Sequence, residues 1–408
     1  MKKIICLIII GLIAVNTSAA QMSWNDVLKE AKDKNPTLIK AEESLNQAEL
    51  YYKMSFSNFL PQVSASAGDS RNSSGLTNSY SFGLSGRLAV FSGFSNITET
   101  GIKKLDLKVE QEQYRRAVSD VIYNLRKSYV NLLLTQDMIN LSSEIYSRRL
   151  KNFDLIRLKY DAGREDKGAL MRVEADKLQA EYELNQNKRN LQTASAQLFR
   201  DMGIERFEVV AVTGSFSVRL PYWDMDYKVL MEHIPEYLIA KYNLDKSLLS
   251  IKSAKSDFYP GISLSASTSR SGEDFPLDGP SWNAGLSLSL PLFTGGRNYF
   301  NVKIAEINRN IFKNSAQETA LQLRASLVSA WNSLVSSIEN VRIKETYMRA
   351  SEEQSKITTV KYLNGLVSYY DWYNVENDFI NAQKSSLSAK SDAFLAEASW
   401  KKTLGIGE

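Results

Sequence analysis

The sequence predicts a mixed α and β membrane protein. Long antiparallel coiled-coil helices are joined to short strands that form part of a transmembrane β-barrel. Three observations predict this: very long stretches without glycine or proline, segments whose apolar residues alternate with period two, and an internal duplication that repeats both.

The long helices come first. Ile102 to Ala162 contains neither glycine nor proline, and the same holds for Arg297 to Asn364 and for Leu366 to Leu404. At 1.5 Å per residue, a run of sixty residues makes a rod of about 90 Å, far longer than an ordinary globular helix. Val118, Ile122, Leu125, Tyr129, Leu132, Gln136, Ile139, Ser143, Tyr146, Leu150, Phe153, Arg157 and Tyr160 follow steps of four and three. That is the 3.5-residue repeat of a coiled-coil seam, interrupted at Gln136, Ser143 and Arg157. Gly163 and Gly365 end the first helix of each pair and act as turns. Glycine takes a positive φ at a helix end without steric cost, so the partner helix runs back antiparallel. Gly203 and Gly405 close the returning helices.

The duplication sets the organisation. Asn35-Pro36 matches Ile234-Pro235, and Phe59-Leu60-Pro61 matches Phe258-Tyr259-Pro260, both at an offset of 199. After the next loop the offset is 202. Phe91-Ser92-Gly93 then matches Phe293-Thr294-Gly295, Lys159-Tyr160-Asp161-Ala162-Gly163 matches Lys361-Tyr362-Leu363-Asn364-Gly365, and Met202-Gly203-Ile204 matches Leu404-Gly405-Ile406. The expected domains are a signal peptide over 1–20, a first repeat over 21–203, a linker over 204–225 and a second repeat over 226–408. Each repeat starts with about thirty helical residues, from near Trp24 to Pro61 or from near Asp226 to Pro260. Pro36 and Pro235 break or kink these helices. Val209, Val210, Val212 and Pro221 suggest short extended pieces in the linker.

Strands fill the segment between the first helix and the long pair. Trp282, Ala284, Leu286, Leu288, Leu290 and Leu292 alternate with small or polar residues. Tyr80, Phe82, Leu84, Gly86, Leu88 and Val90 do the same more weakly. Gln62 to Gly68 and Ile262 to Thr268 are their expected partners, across polar loops at Arg71 to Asn78 and Gly272 to Gly279. Strands of nine to twelve residues cross a bilayer at a tilt. Four strands cannot close a barrel, and an open edge in lipid costs several kcal/mol per unpaired backbone group. Alternation alone fits a small soluble sheet equally well, and the signal peptide and polar loops favour the barrel. If the strands are in a membrane, the barrel must be shared between copies, two giving eight strands and three giving twelve.

The start of the chain indicates export. Lys2 and Lys3 precede the apolar run Ile4 to Val15, and Ser18, Ala19 and Ala20 follow, which is the grammar of a secretory signal cleaved after Ala20. The one cysteine, Cys6, lies within that segment, so the mature chain has neither disulfide nor thiolate metal site. Losing Lys2 and Lys3 lowers the net charge from +4 to +2 (4 − 2 = 2), which does not suggest a nucleic-acid partner.

Residues for catalysis are missing. His233 is the one histidine, a poor metal site without cysteines. There is no Gly-rich phosphate loop and no nucleophile elbow. Glu42-Glu43 and Glu352-Glu353 are surface charge on helices. The expectation is no enzyme, no cofactor, no metal and no catalytic residue. Tyr369-Tyr370-Asp371-Trp372-Tyr373, after the second turn, reads either as a docking patch or as packing between helix pairs.

The order of Asn35-Pro36, Phe59-Leu60-Pro61, Leu290-Pro291-Leu292-Phe293-Thr294-Gly295-Gly296 and Lys361-Tyr362-Leu363-Asn364-Gly365 within a duplicated frame resembles the TolC-like outer membrane efflux proteins. The resemblance spans essentially the whole mature chain. It implies a homotrimer with a twelve-stranded barrel in outer membrane lipid and a helical tunnel reaching into the periplasm. It also implies two partners, a periplasmic adaptor protein and an inner-membrane pump. The turns at Tyr160 to Gly163 and Tyr362 to Gly365 then lie at the periplasmic tip where the adaptor docks. Asp371 matches an acidic position at the pore entrance. A ring of carboxylates there selects cations. The sequence departs from the family at Asn374, where a second acid is expected, at Ala169, where aspartate is common, and at Ala89, which stands in place of the proline seen at Pro291. Glu165 and Asp166 are candidates to compensate. The rival readings are a type I protein secretion channel and a periplasmic coiled-coil scaffold or adaptor without a barrel.

Overall fold

The structure, a computed structural model, describes residues 21–72, 77–206, 208–220 and 226–407. The expected signal segment, the apex of the first polar loop and Pro221 lie outside the described residues. The elements in order are β1 (Gln21–Met22), α1 (Trp24–Lys34), α2 (Pro36–Ser55), a 3-10 turn (Phe56–Phe59), β2 (Gln62–Asn72) and β3 (Thr77–Ser92). There follow α3 (Ser95–Asp161), α4 (Lys167–Met202), β4 (Ala211–Val212), α5 (Tyr227–Met231) and α6 (Pro235–Ser256). The chain ends with β5 (Gly261–Gly272), β6 (Ser281–Ser289), α7 (Arg297–Leu363) and α8 (Tyr369–Thr403).

The two prolines act as helix boundaries. Asn35 between α1 and α2 is extended, with ψ 117°, as expected for a residue before proline. Pro36 and Pro235 each occupy the first position of the next helix, where the missing N–H costs nothing. The first helices stop short of Pro61 and Pro260, at Ser55 and Ser256.

α3 and α7 contain 67 residues each, a rise of about 100 Å. α3 begins at Ser95, seven residues before the glycine-free run, and passes through Gly101. A single helical glycine costs only about 1 kcal/mol against alanine, and the long helix absorbs it.

The residues form two compact units. One comprises residues up to Asn35, Tyr123–Leu220 and Ser333–Ala398, and the other comprises Pro36–Ile122, Pro221–Asn332 and the residues from Ser399. The second unit holds a four-stranded sheet of order β2-β3-β5-β6, antiparallel throughout. The hairpins β2–β3 and β5–β6 are those the alternation predicts, and β3 pairs with β5 to join them. Val63, Leu84, Leu264 and Leu286 share one face, and Ser64, Ser85, Ser263 and Ser287 share the other. Hydroxyls meet across the strands on the serine face, 2.9 Å apart for Ser64 with Ser85 and 2.7 Å for Ser263 with Ser287. Ala89 lies inside β3, opposite Ser263, just before a bulge at position 90. Pro291 lies beyond the end of β6, so the two matched positions differ: Ala89 stands inside a strand, where proline is disfavoured, and Pro291 outside one.

In the first unit, β1 pairs in parallel with β4. Val210 and Val212 are buried and Val209 is exposed. The α3 seam is corrected here. Leu125 and Leu132 are buried as expected, but the line continues through Ser128, Thr135, Ser142, Ile145, Arg149 and Ile156. Ser143, Leu150, Arg157 and Tyr160, on the expected line, are exposed. Tyr129 is buried on the expected line as well, but from Thr135 onward the stripe runs one residue earlier than the spacing places it, with hydroxyl residues at several of its positions. Ser128 and Thr135 satisfy themselves by donating to the carbonyls of Asn124 and Asn131. Among the described residues no helix is long and apolar enough to cross a membrane.

Candidate functional site

The candidate site is the pair of helix turns in the first unit, α3 to α4 and α7 to α8. Both turns have one hydrogen-bond design. Gly163 has φ +69° and donates to Tyr160 O at 2.9 Å, while Arg164 N–H reaches back to Lys159 O at 2.8 Å. Gly365 has φ +73° and donates to Tyr362 O at 3.1 Å, and Leu366 N–H reaches Lys361 O at 2.9 Å. These are Schellman caps, which require a left-handed residue at that point. A Cβ at Gly163 or Gly365 would meet nothing within 4 Å, so backbone conformation alone demands glycine here.

The returning helices are capped by different residues in the two turns. Asp166 precedes α4 and its carboxylate accepts from Ala169 N–H at 2.9 Å. Ahead of α8, Ser368 Oγ accepts from Asp371 N–H at 3.1 Å and donates to Asp371 Oδ2 at 2.6 Å. Each first turn therefore carries one carboxylate near the positive helix end, where it is favoured. It stands at the cap in one repeat and three residues in at the other. Asp166 is engaged as a cap and Glu165 accepts a bond from Tyr362, so both candidate compensating acids have structural partners.

Helices α3, α4, α7 and α8 meet in one buried cluster of Ile156, Ala169, Val173, Tyr362 and Trp372. The Tyr362 and Trp372 rings are stacked, with centroids 4.7 Å apart and planes at 9°. Trp372 Nε1 donates to Thr359 Oγ1 at 3.0 Å. Tyr362 Oη donates to Glu165 Oε1 at 2.6 Å, and Lys159 Nζ sits 3.7 Å from the Tyr362 ring centre. Burial first, and then the bond to Glu165, raises the Tyr362 phenol above its ordinary range. Burial and the nearby Asp176 do the same to Tyr369.

The matched tyrosines therefore differ. Tyr362 is 2% exposed and Tyr160 is 36% exposed. The position matching Trp372 in the first repeat is Leu170 (372 − 202 = 170), so Tyr160 lacks the corresponding stacking partner. Asp371 and Asn374 are exposed and lie one turn apart on α8, and Asp378 is exposed one turn further on. In the aromatic run Trp372 is core, Tyr369 and Tyr373 are half-buried, and Tyr370 is 69% exposed.

A second polar layer lies further along the same helices, and nothing in the sequence pattern marks it. Arg149 of α3, only 9% exposed, bonds Asn377 of α8 and stands 3.8 Å from Asp176 of α4. Arg172 Nε donates to Tyr373 Oη at 2.8 Å. Glu376, 4% exposed, accepts from Ser355 and lies 3.8 Å from Arg148. Periodicity reads these as helix charges because it cannot see which partners face them.

Residues 27–203 and 230–405 match the outer membrane efflux protein family. The chain belongs to that family. It resembles the cation efflux system protein CusC of Escherichia coli, 22% identical over 93% of this chain and 85% of that one. It also resembles the outer membrane efflux protein BepC of Brucella suis, 19% identical over 95% of this chain and 86% of that one. Among solved structures, the open-state MtrE outer membrane channel of Neisseria gonorrhoeae superimposes with a TM-score of 0.83. It is 19% identical, covering 93% of this chain and 88% of MtrE. The mostly helical fold is therefore that of outer membrane efflux channels, and the family places this protein in the outer membrane as an efflux channel.

Proposed function

We propose that three copies of this chain assemble into a passive export conduit whose barrel has twelve strands. The observation that carries this is the sheet β2-β3-β5-β6, in which β2 and β6 each leave one edge unpaired. Unpaired backbone groups in hydrocarbon cost several kcal/mol each. Three sheets joined edge to edge leave no edge. The two matches of the family to the chain support a duplicated design, one repeat per hairpin and helix pair.

The helix turns are the docking end. Gly163, Gly365 and Tyr160, all exposed, present the surface that a periplasmic adaptor meets. Tyr362 holds the turns together from inside. Asp371 lines the pore entrance, with Asn374 beside it. The conduit is passive, as in a channel of this family, and its energy comes from the inner-membrane pump. The name of CusC favours cations as cargo, and a carboxylate at the entrance fits that cargo.

The test is the mass of the protein extracted from outer membranes in mild detergent, measured by light scattering. A trimer is expected. A monomer or dimer released into the periplasmic fraction would overturn the shared barrel.

A further inference from the structure

We infer that Arg87 is a charge-selecting residue of the barrel, which makes the lumen above the helices attractive to anions. This rests on the shared barrel proposed above. The sheet has one face of apolar residues and one of small polar residues, and in a barrel of this kind the apolar face meets lipid and the polar face water. The four strands contain four charged residues, Asp69, Arg71, Arg87 and Arg270. Asp69, Arg71 and Arg270 fall on the apolar face, in the half of the sheet nearer the polar loops. Only Arg87 falls on the polar face, two residues along from Ser85 and opposite Gln62 and Ser265.

Nothing on that face neutralises it. Its neighbours are serine, glycine, alanine, asparagine and glutamine, and the polar face of the four strands carries no carboxylate. The Arg87 side chain is exposed, and guanidinium stays charged at every physiological pH. Gln62 is the first residue of β2, so Arg87 sits at the end of the sheet nearest the helices. Three chains would set three such charges in one ring. A ring of arginines is the ordinary device of an anion-favouring pore. The solutes favoured at this ring are anions and zwitterions with an exposed carboxylate or phosphate.

The test reads the local potential directly and does not require an open entrance. Ser265→Cys places a thiol opposite Arg87, at about 5 Å between Cβ atoms. In full-length protein in outer membranes, its modification by an anionic methanethiosulfonate (the sulfonatoethyl reagent) is compared with that by a cationic one (the trimethylammonium reagent). Each rate is normalised to that of a free thiol. At about 0.1 M salt the anionic reagent is expected to react about threefold faster. Adding Arg87→Gln is expected to remove the preference, and raising salt to about 1 M, where screening acts within about 3 Å, to suppress it. A rate ratio unmoved by Arg87→Gln overturns the proposal. Leu264→Cys, on the apolar face, is the control. If it is protected from both reagents while Ser265→Cys reacts, the barrel reading stands and the proposal is judged on the ratio alone. If Leu264→Cys reacts as fast as Ser265→Cys, the sheet is not in lipid and both readings fall.

Discussion

The indole of Trp372 lies flat against the ring of Tyr362, 4.7 Å away, and this contact ties the start of α8 to the end of α7. Trp372→Ala would open a void among residues from four helices. Large aromatic truncations in a core cost about 3–5 kcal/mol. The expected result is faster limited proteolysis within residues 155–175 and 360–375, with the sheet still resistant. Unchanged cleavage would mean that the turns are held from elsewhere.

The helix-end glycines differ in what surrounds them. At Gly365 nothing lies within 4 Å of a new Cβ, whereas at Gly405 it would stand 2.4 Å from Pro235 Cδ. Gly365→Val is therefore expected to lose export while trimers persist, since the strain of about 1–2 kcal/mol is confined to the turn. Gly405→Ala carries the same backbone strain plus a clash, so it should lower the yield of folded protein more than Gly365→Ala. Equal yields for the two alanine variants would refute the crowding argument. Normal export by Gly365→Val would remove that turn from the docking end.

Asp371 is exposed and its carboxylate takes the Ser368 hydroxyl. Asp371→Asn is expected to weaken the cation preference of the isolated pore, read as a reversal potential in a salt gradient. Asn374→Asp, one turn along the same face, should strengthen it. If neither variant moves the reversal potential, this face of α8 is not at the entrance.

Alkali should loosen the turns. Tyr362 and Tyr369 hold their protons more tightly folded than unfolded. A phenol raised in the fold contributes stability that is fully present below its unfolded pKa of about 10 and declines as pH rises beyond it. Protease resistance of the turns should therefore fall as pH is raised from about 10 upward. In Tyr362→Phe/Tyr369→Phe that dependence should be shallower. An identical pH profile in the double variant would exclude these two groups as its source.

The elements that repeat a period were legible in the sequence. Glycine-free length gave α3 and α7, alternation gave both hairpins, and Gly163 and Gly365 gave the turns. Side-chain facing was harder. Spacing placed the seam at Ser143, Leu150 and Arg157, while the buried line uses Ser142, Ile145 and Arg149. Ser142 and Arg149 are polar residues held by partners on other helices, Asn187 and Asn377, which the spacing does not encode. The matching of Tyr160 with Tyr362 concealed that one is exposed and one buried, a difference set by Trp372 and Leu170 on the following helices. Arg149 and Asp176 meet across helices 27 residues apart in the chain (176 − 149 = 27), and no local pattern encodes that encounter.

The unpaired edges of β2 and β6 also bear on how the channel is made. In the shared barrel proposed above, a lone chain entering lipid would carry both bare edges with it, so the barrier to insertion would be highest for one copy and fall as edges are matched. Association in water, or on a catalyst that lends its own strand edge, must then precede or accompany entry. The appearance of inserted channels should rise more steeply than in proportion to chain supply, and a trace of chains with a blocked β6 edge would poison assembly out of proportion to their number.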